Sequence, residues 1–509
     1  MNQRLETLQF FGLITKFIMI AFSLVQSVIV IRLLSPQEYG FIGLVLAFAG
    51  IVGVYQHLGL GVGTLREVSL ARDEQEASKI FFTSLSVRML ITLPLVFGLL
   101  LFSSYITNTI YHRPEILFGT RLVAFTILFN GIMEIVFNVL NGLQKFKQVF
   151  ILQILNSAVS MLVVVPFVFF LKYDGYFIGS LITVILFLLI YVLSLLKVFG
   201  FRLLAPNKSE FKKIFRAVFG IGIFIYIAKI LYGLFMQSGI LILGYYSTPD
   251  TVGYLKFAIG YGFYLLSFSN AVNYINLPVM SKRFAENVVF FKESFKDNFH
   301  KFFSLTLFAA GFMTLFSKEA ILILAGRNYL PAQPLIFFSV LAFFFLMIFE
   351  ILCGCIFLPS SDTKGYISSY SILAVATLGV VFFLVSRGGG ATGAVAAMFL
   401  GAALTFVFAI FRIFQKLSIM VADGKILIMS LVCLPLLLGG LVNMSLYERL
   451  ALLAFSLLLF WFFTKYLGIL NLIQVLRSGH EYAEKPGDRT AHPGDRMKGL
   501  DSGYHLHSD

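Results

Sequence analysis

Charge is scarce in this sequence. Asp, Glu, Lys and Arg make up 13% of its 509 residues, about half the share found in soluble domains. Apolar residues take 59%, and mean hydropathy is +0.91. That balance excludes a cytosolic globular enzyme and a disordered chain. Cysteine is nearly absent, with three in the whole chain, which excludes a disulfide framework. Cys353 and Cys355 share one apolar stretch and Cys433 sits in another. With no His or third Cys beside them, they read as small packed hydrophobes, and no metal or organic cofactor is expected. There is no G-x-x-x-x-G-K-[ST] loop, hence no ATP-driven motor, and no H-E-x-x-H or G-x-S-x-G motif. Gly388–Gly390 lacks the lysine of a phosphate loop and reads as a tight turn.

What the chain does have is long apolar runs. They fall at about 10–34, 41–63, 81–107, 116–141, 149–171, 176–199, 216–246, 252–280, 301–325, 331–358, 364–386, 390–411, 424–443 and 448–467. Each is near the length that crosses a bilayer. The first is too long for a signal-peptide core and reads as a span. The fold class expected is an all-α polytopic membrane protein of about 14 transmembrane helices. An even count puts both termini on one side. With the N-terminus inside, 27 of the 39 Lys and Arg fall on inside segments, 7 outside and 5 within spans. That bias predicts cytoplasmic termini. It also absorbs the net charge of +14 without nucleic acid.

An internal repeat is visible. Pro-Gln-Glu-Tyr-Gly-Phe (36–41) and Pro-Asp-Thr-Val-Gly-Tyr (249–254) each follow the first span of a hairpin. Setting Gly40 on Gly253 gives an offset of 213 that also pairs Lys16 with Lys229; an offset of 216 pairs Glu134 with Glu350. The register predicts a six-helix lobe at 1–199, a basic cytoplasmic linker at 200–215, a second six-helix lobe at 216–415, two extra helices at 416–477 and a disordered tail at 478–509. Such halves commonly place a transport site at their interface. Phe291, Phe295, Phe299 and Phe302 recur at helical spacing beside Lys292, Glu293 and Lys296. They fit either an amphipathic helix on the inner membrane surface or an extension of the neighbouring spans.

Charges inside spans carry the functional reading. Lys16, Arg88, Arg121, Lys229 and Lys256 lie there, with Glu134, Glu350, His57 and Gln26. One ion at mid-membrane costs about 2.5–3.5 kcal/mol, so five cations facing lipid would cost on the order of 15 kcal/mol. Most must face a cavity, pair with an acid or snorkel to an interface. By depth, Lys16, Arg88, Lys229, Glu134 and Glu350 map to the inner halves of their spans, and Arg121 and Lys256 to the outer halves. The glutamates either pair with cations or titrate as proton or sodium sites. A cavity richer in cations than acids suits an anionic cargo such as a diphosphate. Short outside loops disfavour a polysaccharide polymerase, which would need a larger external platform.

Several motifs resemble Wzx-type oligosaccharide (O-antigen repeat unit) flippases, of the polysaccharide transporter branch of the multidrug/oligosaccharidyl-lipid/polysaccharide exporter superfamily. They are Arg32-Leu-Leu-Ser-Pro-Gln-Glu-Tyr-Gly40, Gly59-Leu60-Gly61, Arg66-Glu67, Asn141-Gly142 with Lys145-Phe146, Gly253-Tyr254, Pro278-Val-Met-Ser281 and Gly326-x-x-Tyr329. The resemblance covers about 1–420. It implies two rocking lobes that export an undecaprenyl-diphosphate-linked oligosaccharide across a bacterial or archaeal cytoplasmic membrane. Ion-gradient coupling is common among relatives. His57 and Ser238 stand where the family often has Asp, which shifts the ion-coupling expectation to Glu134 and Glu350, with His57 beside them.

The expected substrate-binding set is therefore Lys16, Arg88 and Lys229 on the inner side, Arg121 and Lys256 on the outer side, and Gln26, Asn130, Asn138 and Gln237 for the sugar. Expected partners are the lipid-linked oligosaccharide, membrane lipids and the polymerase machinery, with the chain itself a monomer. A lipid II flippase shares this whole mechanism. A multidrug or metabolite antiporter would show an acid-dominated cavity instead.

Overall fold

In the computed structural model, every regular element among the described residues (2–200, 203–421, 423–442 and 444–469) is helical. The tail at 478–509 lies outside them. Helices close all their backbone hydrogen bonds within one segment, which the bilayer interior demands. The order is α1 (Asn2–Leu33), α2 (Pro36–Tyr55), α3 (Leu60–Leu70), α4 (Glu74–Ser104), α5 (Leu117–Gly142), α6 (Phe146–Val198), α7 (Lys208–Tyr246) and α8 (Pro249–Glu286). It continues with α9 (Val288–Leu315), α10 (Ser317–Leu324), α11 (Gln333–Leu352), α12 (Thr363–Leu384), α13 (Gly390–Leu417), α14 (Gly424–Gly439) and α15 (Leu446–Tyr466). Nine stretches among the described residues are long and apolar enough to cross a membrane.

Two of those stretches fold back on themselves. α6 breaks at Lys172 (φ 50°, ψ −124°), after which Gly175 and Gly179 lie against Phe167 and Val164. The 363–417 stretch turns at Gly388 (φ 88°), so that Gly401 meets Thr377 and Leu373. Local signals set the helix starts. Ser35 and Glu38 form a capping box with Pro36 in the first turn; Asn207 with Glu210 and Ser445 with Glu448 repeat the box.

The α1–α2 turn marks one end of the bundle, the hairpin end, and the start of α7 marks the other, the linker end. The run read as 41–63 is not one helix, because α2 stops at Tyr55 and α3 starts at Leu60. Between them Leu58 (φ 40°) and Gly59 (φ 69°) take the left-handed conformation. The run at 301–325 also breaks, at Phe316, where α9 and α10 meet at 70°. The phenylalanine stripe belongs to α9 itself. Phe291, Phe295 and Phe299 are fully buried in a ring ladder from Phe284 through Phe303 to Phe344. Of the two expected readings, this is the extension of a neighbouring span.

Asp362, in the turn before α12, ties that turn to α13. It accepts from Arg412 Nε (3.1 Å) and Nη2 (3.2 Å) and faces Lys416 Nζ (3.4 Å). Burial pushes its carboxyl up, but Arg412, the Gly365 N–H and Lys416 outweigh that and hold it below the usual range. A depressed folded-state pKa stabilises fully above the unfolded value near 4, and that share fades as pH falls through the folded value. Asp362→Asn should therefore cost roughly 1–3 kcal/mol at pH 7, the scale of hydrogen bonds to a charged group. The gap in thermal midpoint from wild type should shrink below about pH 4. Melts of both proteins in detergent across pH check this; a gap constant with pH would contradict it.

Candidate functional site

The site begins at the break between α2 and α3. A helix that stops leaves carbonyls without partners, and here side chains of other helices take them. Tyr226 of α7 donates to the Tyr55 carbonyl (3.2 Å), and Arg88 Nη1 of α4 donates to the Gln56 carbonyl. Thr92, one turn from Arg88, donates to Gln56 Oε1 (3.1 Å). Arg88 has no exposed surface, and its Nη2 meets Glu134 Oε2 of α5 at 2.5 Å. The same carboxylate takes His57 Nδ1 at 2.9 Å. Asn138 packs one turn below, donating to the Glu134 carbonyl (2.8 Å). Lys229 of α7 lies within electrostatic reach of Glu134. A buried arginine is tolerable only with its charge compensated, and Glu134 does that here.

A second feature lies among α1, α2, α6 and α8 toward the hairpin end. A cavity of about 310 Å³ is lined by Ser23, Gln26 and Ser27 of α1, Tyr39 of α2, Tyr176 of α6 and Lys256 of α8. The Lys256 ammonium stands 5.0 Å from the centre of the Tyr39 ring, a cation–π placement. None of the described lining residues is Asp or Glu.

Above this cavity the two repeat motifs meet. A Cβ on Gly40 would overlap the Pro249 carbonyl, and one on Gly253 would overlap the Pro36 carbonyl. This reciprocal contact is what a pseudo-two-fold axis produces. Tyr329 donates to the Ser35 carbonyl (3.3 Å), and Arg32 reaches the Ile323 carbonyl. The linker end is bridged as well. Lys79 pairs with Glu210 at 2.6 Å, and a Cβ on Gly63 would overlap the Val218 carbonyl of α7.

The structure thus brings His57, Arg88 and Glu134 into one cluster, with Lys229 nearby, and brings Gln26 and Lys256 into one cavity. The other candidates stand apart. Lys16 is exposed on α1; Arg121 is exposed near the hairpin end, its Nε 3.4 Å from Ser103 Oγ. Glu350 accepts from the Tyr370 hydroxyl (2.6 Å) on α12, next to the π-helical turn Cys353–Phe357. Asn130 is half-buried, and Gln237 packs where Gly50 leaves room for it. Ser238 is buried. Sequence reasoning passed over Tyr39, Tyr176, Gln56 and Tyr226. Tyr39 sits inside the repeated Pro–Gly motif, a signal that was there to use; the others carry no local mark.

A family model described as polysaccharide biosynthesis protein matches residues 29–334. The chain belongs to that family. Among solved structures, the fold is shared with the lipid II flippase MurJ in an inward-closed conformation, at a TM-score of 0.71 and 15% identity. That match covers 91% of this chain and 98% of the other. An inward-facing multidrug resistance MATE family transporter of the MOP superfamily aligns at a TM-score of 0.59 and 16% identity, covering 79% and 96%. A MOP superfamily transporter from Pyrococcus furiosus, described as having a binding pocket of reverse polarity, aligns at 0.54 and 14%, covering 80% and 95%. No curated protein matches the chain. The chain is thus a polytopic membrane protein whose fold is shared with a lipid II flippase and with MATE family transporters.

Proposed function

We propose that this protein is a flippase that moves an undecaprenyl-diphosphate-linked oligosaccharide from the cytoplasmic to the periplasmic leaflet by alternating access. The observation that carries the reading is the polar, carboxylate-free cavity holding Lys256 between two halves that touch at both ends. A cargo that carries negative charge on a hydroxylated body matches that lining. Rocking of lobes 1–199 and 216–415 would exchange the contacts at the two ends, with α14 and α15 as an appendix and both termini in the cytoplasm.

In this reading the linker end faces the cytoplasm, and Lys16 and Lys229 meet the diphosphate there. Arg88 joins them only when its pair with Glu134 opens. Lys256 and Gln26 act toward the periplasm, with Arg121 near the exit. The His57–Glu134 pair couples a proton or sodium gradient to the opening of that cluster, and Glu350 is the corresponding acid of the second lobe. A lipid II cargo would use the same groups, and the likeness to MurJ keeps it as the second reading.

Lys229→Ala should abolish glycan export in cells while protein level stays normal. Lys229 is exposed on α7, and losing one hydrogen bond from a charged group costs about 1.5–3 kcal/mol, or ten-fold and more in rate. Full export by the variant would remove Lys229 from the site.

A further inference from the structure

The cationic groups of the pathway are not clustered at one depth. Lys256 stands seven residues along α8 from Pro249, and Lys229 stands seventeen residues along α7 from Tyr246. At ~1.5 Å per residue the two are about 15 Å apart along the bundle. α2 gives a separation at least as large. Its Gly43 packs on Lys256, and its Val54 packs on Gly233, one turn from Lys229. Those eleven residues of helix span about 16 Å, and Lys229 lies a further turn of α7 beyond Gly233. A single diphosphate cannot bridge that distance, whereas a short run of sugar rings can.

The surroundings of Lys256 differ from those of Arg88. Arg88 is matched by Glu134, but none of the described residues lining the Lys256 cavity is Asp or Glu. Its ammonium sits on the face of Tyr39 among serine hydroxyls, Gln26 and Tyr176. A neutral sugar gains from hydroxyls and aromatic faces alone. A desolvated ammonium costs free energy unless an anion meets it, and the ring of Tyr39 offsets only a small part of that cost.

We propose that this cavity receives an acid group carried by the glycan, a carboxylate or phosphate substituent set a few sugar units away from the diphosphate. The proposal rests on the flippase reading and narrows its cargo to acidic repeat units. Lys256 would form a charge-assisted hydrogen bond to the acid oxygen, with Ser23 and Ser27 as further donors and Tyr176 against the ring. The anion at Lys256 has a second conceivable source, the carrier diphosphate itself on its way out, so the test must separate the two.

The experiment uses the purified full chain in liposomes with two cargos. One is undecaprenyl diphosphate bearing a tetrasaccharide with a single hexuronate. The other is the same molecule with the hexuronate reduced to the neutral hexose. Wild type, Lys256→Gln and Lys256→Arg are compared by initial flipping rate. Lys256→Gln is expected to slow the acidic cargo roughly ten-fold more than it slows the reduced cargo, and Lys256→Arg is expected to keep most of the acidic rate. Equal slowing of both cargos by Lys256→Gln overturns the proposal and assigns Lys256 to the diphosphate. If wild type moves neither cargo, the flippase reading itself falls, and the glycan-acid site falls with it.

Discussion

Valine at position 40 or 253 should slow transport roughly ten-fold or more without lowering the amount of folded protein. Both glycines pack against a carbonyl of the opposite half, where a Cβ would overlap backbone rather than a yielding side chain. Overpacking costs about 1–3 kcal/mol, and each 1.4 kcal/mol is a factor of ten. The penalty applies only to the state in which the hairpin end is closed, so the populations shift toward opening there. A cysteine at Ser35, in the α1–α2 turn, should accordingly react faster with a membrane-impermeant maleimide in Gly40→Val and Gly253→Val than in the unsubstituted background. Gly98→Val is the control, since nothing lies within 4 Å of its Cβ position. Unchanged labelling and transport in both variants would mean that the reciprocal contact is incidental.

The second large effect concerns the pair at the α2–α3 break. Glu134→Leu leaves Arg88, which has no exposed surface, without its carboxylate. Stranding a buried charge costs about 3–5 kcal/mol, while replacing the whole pair with apolar groups is often neutral. Glu134→Leu alone should therefore lose much of its thermal stability in detergent, and Arg88→Met with Glu134→Leu should regain most of it. Arg88→Met alone should cost less than Glu134→Leu, because Glu134 keeps His57 and is itself only partly buried. The double variant should still lack any stimulation of transport by an ion gradient. Recovery of gradient-stimulated transport in the double variant would reduce the cluster to packing.

Much of this was legible in the sequence because membranes enforce long apolar helices. The apolar runs overlap helices, although those at 41–63 and 301–325 break, and the Gly40–Gly253 register reappears as a physical contact. That register was readable because a backbone approach this close tolerates only glycine. The α2–α3 break was hidden. Val54, Tyr55, Leu58 and Leu60 keep hydropathy high through it, and only Gln56, His57 and Gly59 interrupt the run. The pairing of Arg88 with Glu134 joins residues 46 apart on different helices, so no local pattern announces it. The cavity drew on four helices, and its serines and tyrosines are individually ordinary. Single ionisable residues inside spans were the pointer the sequence offered, since their cost demands a reason.

The most direct test is flipping by the purified chain in liposomes containing an undecaprenyl-diphosphate oligosaccharide. An externally added glycan-cleaving enzyme reports which leaflet holds the sugar, with and without an imposed proton or sodium gradient. The account predicts protein-dependent exposure of the glycan that Lys229→Ala removes. A folded, monodisperse preparation that moves no lipid-linked glycan across several cargos and both gradients would contradict it.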